Sequence, residues 1–116
     1  MSFEGSCHCG AVRFTVDAPL PASAISCNCS HCRRKGFLLS FFPAEQFRLT
    51  GGEDHLRSYQ FNTHNIDHQF CTTCGTEAFA AGKGQDGVET RAINLRCVPG
   101  ADLDALEIQK VDGASR

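Results

Sequence analysis

Cys27-Asn28-Cys29-Ser30-His31-Cys32 places three thiols within six residues. In a reducing compartment, CxC and CxxC spacings read as metal ligands or redox pairs rather than as a disulfide framework. Three ligands are one short of a tetrahedron. A structural zinc is closed by four protein groups, whereas a catalytic zinc keeps three and leaves the fourth position to water or substrate. Two further pairs lie outward from this run, Cys7 with Cys9 and Cys71 with Cys74, and together they offer a complete four-thiolate set. The simplest partition is therefore four plus three, with Cys97 left over. It predicts a small fold wrapped around two zinc ions.

Around these clusters the chain reads as strands. Val12, Phe14 and Val16 alternate with Arg13 and Thr15, the period of a half-buried strand. Ala24 to Ser26 reads as a short strand delivering Cys27 and Cys29, and Ser30 to Lys35 as a tight turn or one helical turn carrying Cys32. Phe37 to Phe42 reads as a buried strand, followed by a helical turn opened by Pro43. Phe47 to Thr50 runs into Gly51-Gly52, a hairpin signal. Leu56 to Phe61 and His64 to Phe70 read as strands of one antiparallel sheet. Cys71-Thr72-Thr73-Cys74-Gly75 then reads as a zinc knuckle in which Gly75 takes a positive φ. Glu77 to Ala81 and Val88 to Cys97 add strands, Leu103 to Leu106 a small helix capped by Asp102, and Glu107 to Val111 a last strand.

The 116 residues are 41% hydrophobic and 21% charged, which fits a single domain over residues 1–116 with an ordinary core. Seven thiolates and two divalent ions would deepen the formal net charge of −2 to about −5. Arg33-Arg34-Lys35 is the only dense positive run, so no nucleic-acid partner is expected. The first residues lack the features of a signal peptide and nothing approaches transmembrane length, so a cytoplasmic location without membrane association is expected.

Several assignments stay open on the residues alone. The three-cysteine site could be closed by Cys97, His31, His64 or His68 rather than left open. Cys71 and Cys74 could be a redox pair, although the βαβ setting of such motifs is missing. Cys97 also fits a small buried hydrophobe. His64 and His68 share one face of an extended segment, where hydrogen-bonded or solvated side chains are expected. His8 is expected to be exposed and His55 to lie in a turn.

Gly5-Ser6-Cys7-His8-Cys9-Gly10-Ala11-Val12-Arg13-Phe14, Cys27-Asn28-Cys29-Ser30-His31-Cys32-Arg33, Phe70-Cys71-Thr72-Thr73-Cys74-Gly75 and Asn94-Leu95-Arg96-Cys97 follow one another in a recognisable order. The pattern resembles the family of glutathione-dependent formaldehyde-activating enzymes and centromere protein V. The resemblance implies a mostly β, Mss4-like fold of antiparallel sheets around zinc knuckles, with one or two short helical turns. It implies a structural zinc at Cys7, Cys9, Cys71 and Cys74, and a catalytic zinc at Cys27, Cys29 and Cys32. The implied reaction joins a thiol, glutathione, to a small aldehyde, formaldehyde, giving S-(hydroxymethyl)glutathione, as a carbon-sulfur lyase in reverse. His31, His64 or His68 could serve as general base, and Arg33 and Lys35 could attract glutathione carboxylates. The centromere branch suggests the alternative, a non-catalytic zinc module that binds protein or nucleic acid.

Overall fold

The computed structural model describes residues 1–61, 66–84 and 86–115. Among the described residues, ten strands form two sheets. The smaller sheet takes β1 (Phe3–Ser6), β2 (Arg13–Val16) and β5 (Phe47–Gly51) in that order. The larger has seven strands in the order β10 (Glu107–Val111), β3 (Ser23–Cys27), β4 (Leu39–Pro43), β9 (Glu89–Asn94), β8 (Phe79–Lys83), β7 (Ile66–Cys71) and β6 (Leu56–Tyr59). The only α-helix among the described residues is α1 (Ser30–Lys35). None of the described helices is long and apolar enough to cross a membrane.

The alternation in β2 works as its sequence suggests. Phe14 and Val16 are buried while Arg13 is exposed, and Phe14 reaches across to Phe79 of the larger sheet, with ring centroids 6.2 Å apart. Phe47 stacks on Phe14 at 5.5 Å and meets Phe79 at 4.7 Å. Ile93 and Leu95, both fully buried, complete the centre of the core.

The structure departs from the sequence reading at several points. β1 has no counterpart in it; the strand is four residues long and pairs only with β2. The Gly51-Gly52 pair is not a hairpin, because β5 pairs with β2 while β6 pairs with β7. A 3-10 turn at Glu53–His55 carries the chain from one sheet to the other. The Phe37 to Phe42 run is not uniformly buried: Phe37 precedes the strand, and Phe41 is 52% exposed because β4 turns one face to solvent. β10 pairs with β3 in parallel, so the sheets are not wholly antiparallel. β9 stops at Asn94, whose side chain accepts a hydrogen bond from Arg96 N and opens a 3-10 turn over Leu95–Cys97. The helix expected at Leu103 to Leu106 is a single turn. Asp102 does accept from Asp104 N at 3.2 Å, but Glu107 is already in β10, which leaves no length to propagate a helix. His64 lies outside the described residues.

Candidate metal centres

Two knuckle-like loops face each other at the first cluster. Cys7 follows β1, and the loop from Cys7 to Val12 closes through Cys7 N to Val12 O and Gly10 N to Cys7 O. Cys71 ends β7, and its loop closes through Gly75 N to Cys71 O at 2.8 Å and Cys71 N to Thr76 O at 3.0 Å. Gly75 adopts φ 78°, as the knuckle requires. The turn at Glu53–His55 buttresses this loop: His55 O accepts from Thr72 N at 2.7 Å.

The sulfurs of Cys7, Cys9, Cys71 and Cys74 lie within 4.8 Å of one another and could hold a metal ion. Cys9 Sγ stands 3.6 Å from both Cys7 Sγ and Cys71 Sγ. Four sulfurs about 2.3 Å from a tetrahedral ion would stand about 3.8 Å apart, so the cage has the right size without rearrangement. Backbone amides already point at the sulfurs, Val12 N at Cys7 (3.3 Å) and Thr73 N at Cys71 (3.4 Å). The Thr76 side chain, foremost among several groups, draws the Cys74 thiol down to about 5, toward the thiolate a metal needs.

The second cluster sits where β3 gives way to α1. Cys27 ends the strand and Cys29 caps the helix, its sulfur accepting from Cys32 N at 3.3 Å. Cys29 N points at Cys27 Sγ at 3.5 Å. The three sulfurs lie within 4.8 Å of one another, and all three cysteines are half-buried. Among the described residues no fourth His, Cys, Asp or Glu joins them. Burial first, and then the neighbouring Cys29, pushes the Cys32 thiol up.

Of the residues weighed above as closing ligands, Cys97, His31 and His68 lie elsewhere. Cys97 accepts from Asn94 Nδ2 at 3.6 Å and stands near Cys7, Cys74 and Glu77. Burial pushes its thiol up to about 11. His31 is turned into a separate group with His68 and Glu77. Its Nε2 is 3.6 Å from Glu77 Oε1, and His68 Nδ1 is 3.2 Å from Glu77 Oε2. Burial, and next His68, lowers the His31 pKa. The sequence marks Glu77 only as the start of a strand; its signal is a single acid in an otherwise small and apolar stretch after Gly75. Lys35 points at the same carboxylate, 3.9 Å away, while Arg33 is exposed. His8 is exposed and His55 lies in a turn.

A further element, absent from the sequence reading, borders the three-cysteine cluster. Asn28 takes hold of the C-terminal segment: its side-chain amide donates to Asp112 Oδ1 at 3.1 Å and accepts from Ala114 N at 3.0 Å. This lays Gly113 against the sulfurs, where a β-carbon would stand 2.5 Å from Cys27 Sγ and 3.2 Å from Cys29 Cβ. Gly113→Val is therefore expected to weaken metal retention at this cluster by about tenfold or more, the effect of disturbing the groups around metal ligands. Competition with a chromogenic chelator measures it, and wild-type retention would show that the turn moves aside without cost.

The sequence model of the family described as glutathione-dependent formaldehyde-activating enzyme matches residues 2–104. A curated relative from Halomonas elongata, named "Putative glutathione-dependent formaldehyde-activating enzyme", is 33% identical over 84 residues, or 66% of this chain and 54% of the relative. This chain thus spans about half the length of that relative. A crystal structure of a Rhodobacter sphaeroides protein superposes with a TM-score of 0.79 at 32% identity, covering 93% of this chain and 99% of the other. The order of the cysteine motifs, their gathering into two clusters and a match running from residue 2 to residue 104 agree, and the chain belongs to the glutathione-dependent formaldehyde-activating enzyme family.

Proposed function

We propose that the chain is a two-zinc enzyme that makes or breaks the carbon-sulfur bond of a thiol-aldehyde adduct, with glutathione and formaldehyde as the substrates its family membership suggests. Cys7, Cys9, Cys71 and Cys74 hold the structural ion, and Cys27, Cys29 and Cys32 the catalytic one. The observation that carries the reading is the contrast between the clusters: four sulfurs of matching separation in one, and three half-buried sulfurs without a fourth donor among the described residues in the other. Zinc bound by three thiolates would hold an incoming thiol as its thiolate at neutral pH and, being electron-rich, would favour thiol chemistry over hydrolysis.

The chain's own residues supply position and charge. The Cys29 and Cys32 amides hold the sulfurs of Cys27 and Cys29 in place, and the turn at Gly113 covers one side of Cys27. Arg33, Arg34 and Lys35 fill the last turn of α1, a positive edge for the two carboxylates of glutathione. In the forward direction the thiol proton leaves to solvent, sulfur bonds the carbonyl carbon, and the C=O π pair moves onto oxygen, which takes a proton from water. Orientation is the main contribution, since it makes a bimolecular addition effectively unimolecular. We infer a reducing, cytosolic setting, in which the thiols stay available.

Exchange spectroscopy by NMR on a mixture of glutathione and formaldehyde measures the adduct's formation rate. The zinc-loaded chain is expected to raise it above the uncatalysed rate. No acceleration under conditions where glutathione binds would point to the non-catalytic zinc module instead.

A further inference from the structure

We propose that His31, His68 and Glu77 form a third metal site, distinct from both cysteine clusters, that takes a divalent first-row transition ion. The proposal stands whether or not the carbon-sulfur reading holds, because it rests on a different set of side chains. The three donors come from separate parts of the chain, α1, β7 and the stretch after the knuckle, and their ligand atoms lie within 4.8 Å of one another.

The distances suit an ion. Two ligands each about 2.1 Å from one metal stand about 3.0 Å apart at a right angle and about 3.4 Å apart at the tetrahedral angle. The separations are 3.2 Å from Glu77 Oε2 to His68 Nδ1 and 3.6 Å from Glu77 Oε1 to His31 Nε2, one imidazole to each carboxylate oxygen. The latter is too long for a hydrogen bond, but it leaves a gap that a metal closes with little movement.

Burial makes the same point energetically. The side chains of His31, His68 and Glu77 are only 10%, 8% and 3% exposed. A buried carboxylate must be paired, and here it has the His68 Nδ1 contact at 3.2 Å and the ammonium of Lys35, 3.9 Å away on a side chain 40% exposed. His31 Nδ1 is buried with no hydrogen-bond partner among the described residues, so no hydrogen bond seen there opposes a turn of the ring that offers either nitrogen to an ion. The imidazole rings of His31 and His68 lie 4.0 Å apart between centroids, held from outside by Phe61 at 5.3 Å from each. Aromatic packing thus positions two imidazoles about one carboxylate, and Lys35 can swing to solvent as an ion displaces it.

Two imidazoles and a carboxylate suit zinc, cobalt, nickel or ferrous iron rather than a soft monovalent metal or calcium. Three protein ligands leave coordination positions free. His31 and Glu77 also line a hollow of about 340 Å³ with Lys35, Tyr59, Phe70 and Gly75, large enough for water or a small ligand. The competing account is a metal-free cluster in which Lys35 and His68 simply neutralise Glu77.

Cobalt(II) distinguishes the two. The full chain, loaded with only the two equivalents of zinc that the thiolate clusters take, is titrated with cobalt while visible absorption is followed. The expected result is a saturable d–d absorption without a thiolate-to-cobalt charge-transfer band, lost in both His68→Ala and Glu77→Gln. Circular dichroism checks that Glu77→Gln, the near-isosteric change, remains folded. Absorption that always carries the thiolate band, or that survives in folded Glu77→Gln, would overturn the proposal. So would the absence of any new absorption.

Discussion

Cys71→Ala is expected to leave the chain unfolded. Cys71 is 1% exposed and ends β7 inside the core. Its sulfur lies 3.6 Å from that of Cys9, 62 positions earlier in the chain. The proposed ion therefore ties the N-terminal hairpin to the knuckle and closes a long loop, whose entropy the unfolded chain would otherwise keep. Structural zinc contributes about 10–16 kcal/mol in zinc-finger peptides, against a net stability of about 5–15 kcal/mol for a typical domain. Removing one ligand should take away enough of the first to exhaust the second. Loss of amide dispersion in a proton–nitrogen NMR spectrum checks it, and chelating both ions from the wild-type chain should reproduce the same spectrum. A folded Cys71→Ala chain with an undiminished melting temperature would contradict a structural role for this cluster.

Cys29→Ala should have the opposite profile: a folded chain with one fewer zinc and an adduct-formation rate reduced to that of the uncatalysed reaction. Cys29 caps α1 through its acceptance from Cys32 N, and losing a cap costs about 1 kcal/mol. That is small beside the loss of one of only three ligands. No residue of α1 is fully buried, so the core among the described residues does not rest on it, although His31 packs its ring against His68 and Phe61. Native mass spectrometry counts the metal and exchange NMR the rate. Equal unfolding by Cys29→Ala and Cys71→Ala would remove the distinction between structural and catalytic ions.

Much of this arrangement was legible in the cysteine spacing and in the strand period of two, because both are local. The spacing within each cysteine group, the half-buried β2, the turn at Ser30 to Lys35 and the Gly75 conformation all follow from residues close together in sequence. Joining Cys7 and Cys9 to Cys71 and Cys74, across the 62 positions from Cys9 to Cys71, comes instead from counting ligands. What escaped depends on long-range partners. The glycine pair at Gly51-Gly52 looks like a hairpin in isolation, but whether it is one depends on which sheet each flanking strand joins. β10 gives no hint that it pairs in parallel with β3. Gly113 has no local pattern at all, and only the hydrogen bonds of Asn28 to the C-terminal segment bring it to Cys27. Glu77 likewise became significant only when β7 and α1 brought His68 and His31 to it. His31 sits between two proposed ligands in sequence, yet the first turn of α1 directs it away from them.

The visible spectrum of the cobalt-substituted chain during a glutathione titration tests most directly whether the three-cysteine site is open to a thiol. Thiolate-to-cobalt bands report the number and geometry of sulfur ligands. A saturable increase in those bands that disappears in Cys29→Ala is the predicted result. A spectrum unchanged by saturating glutathione would contradict it.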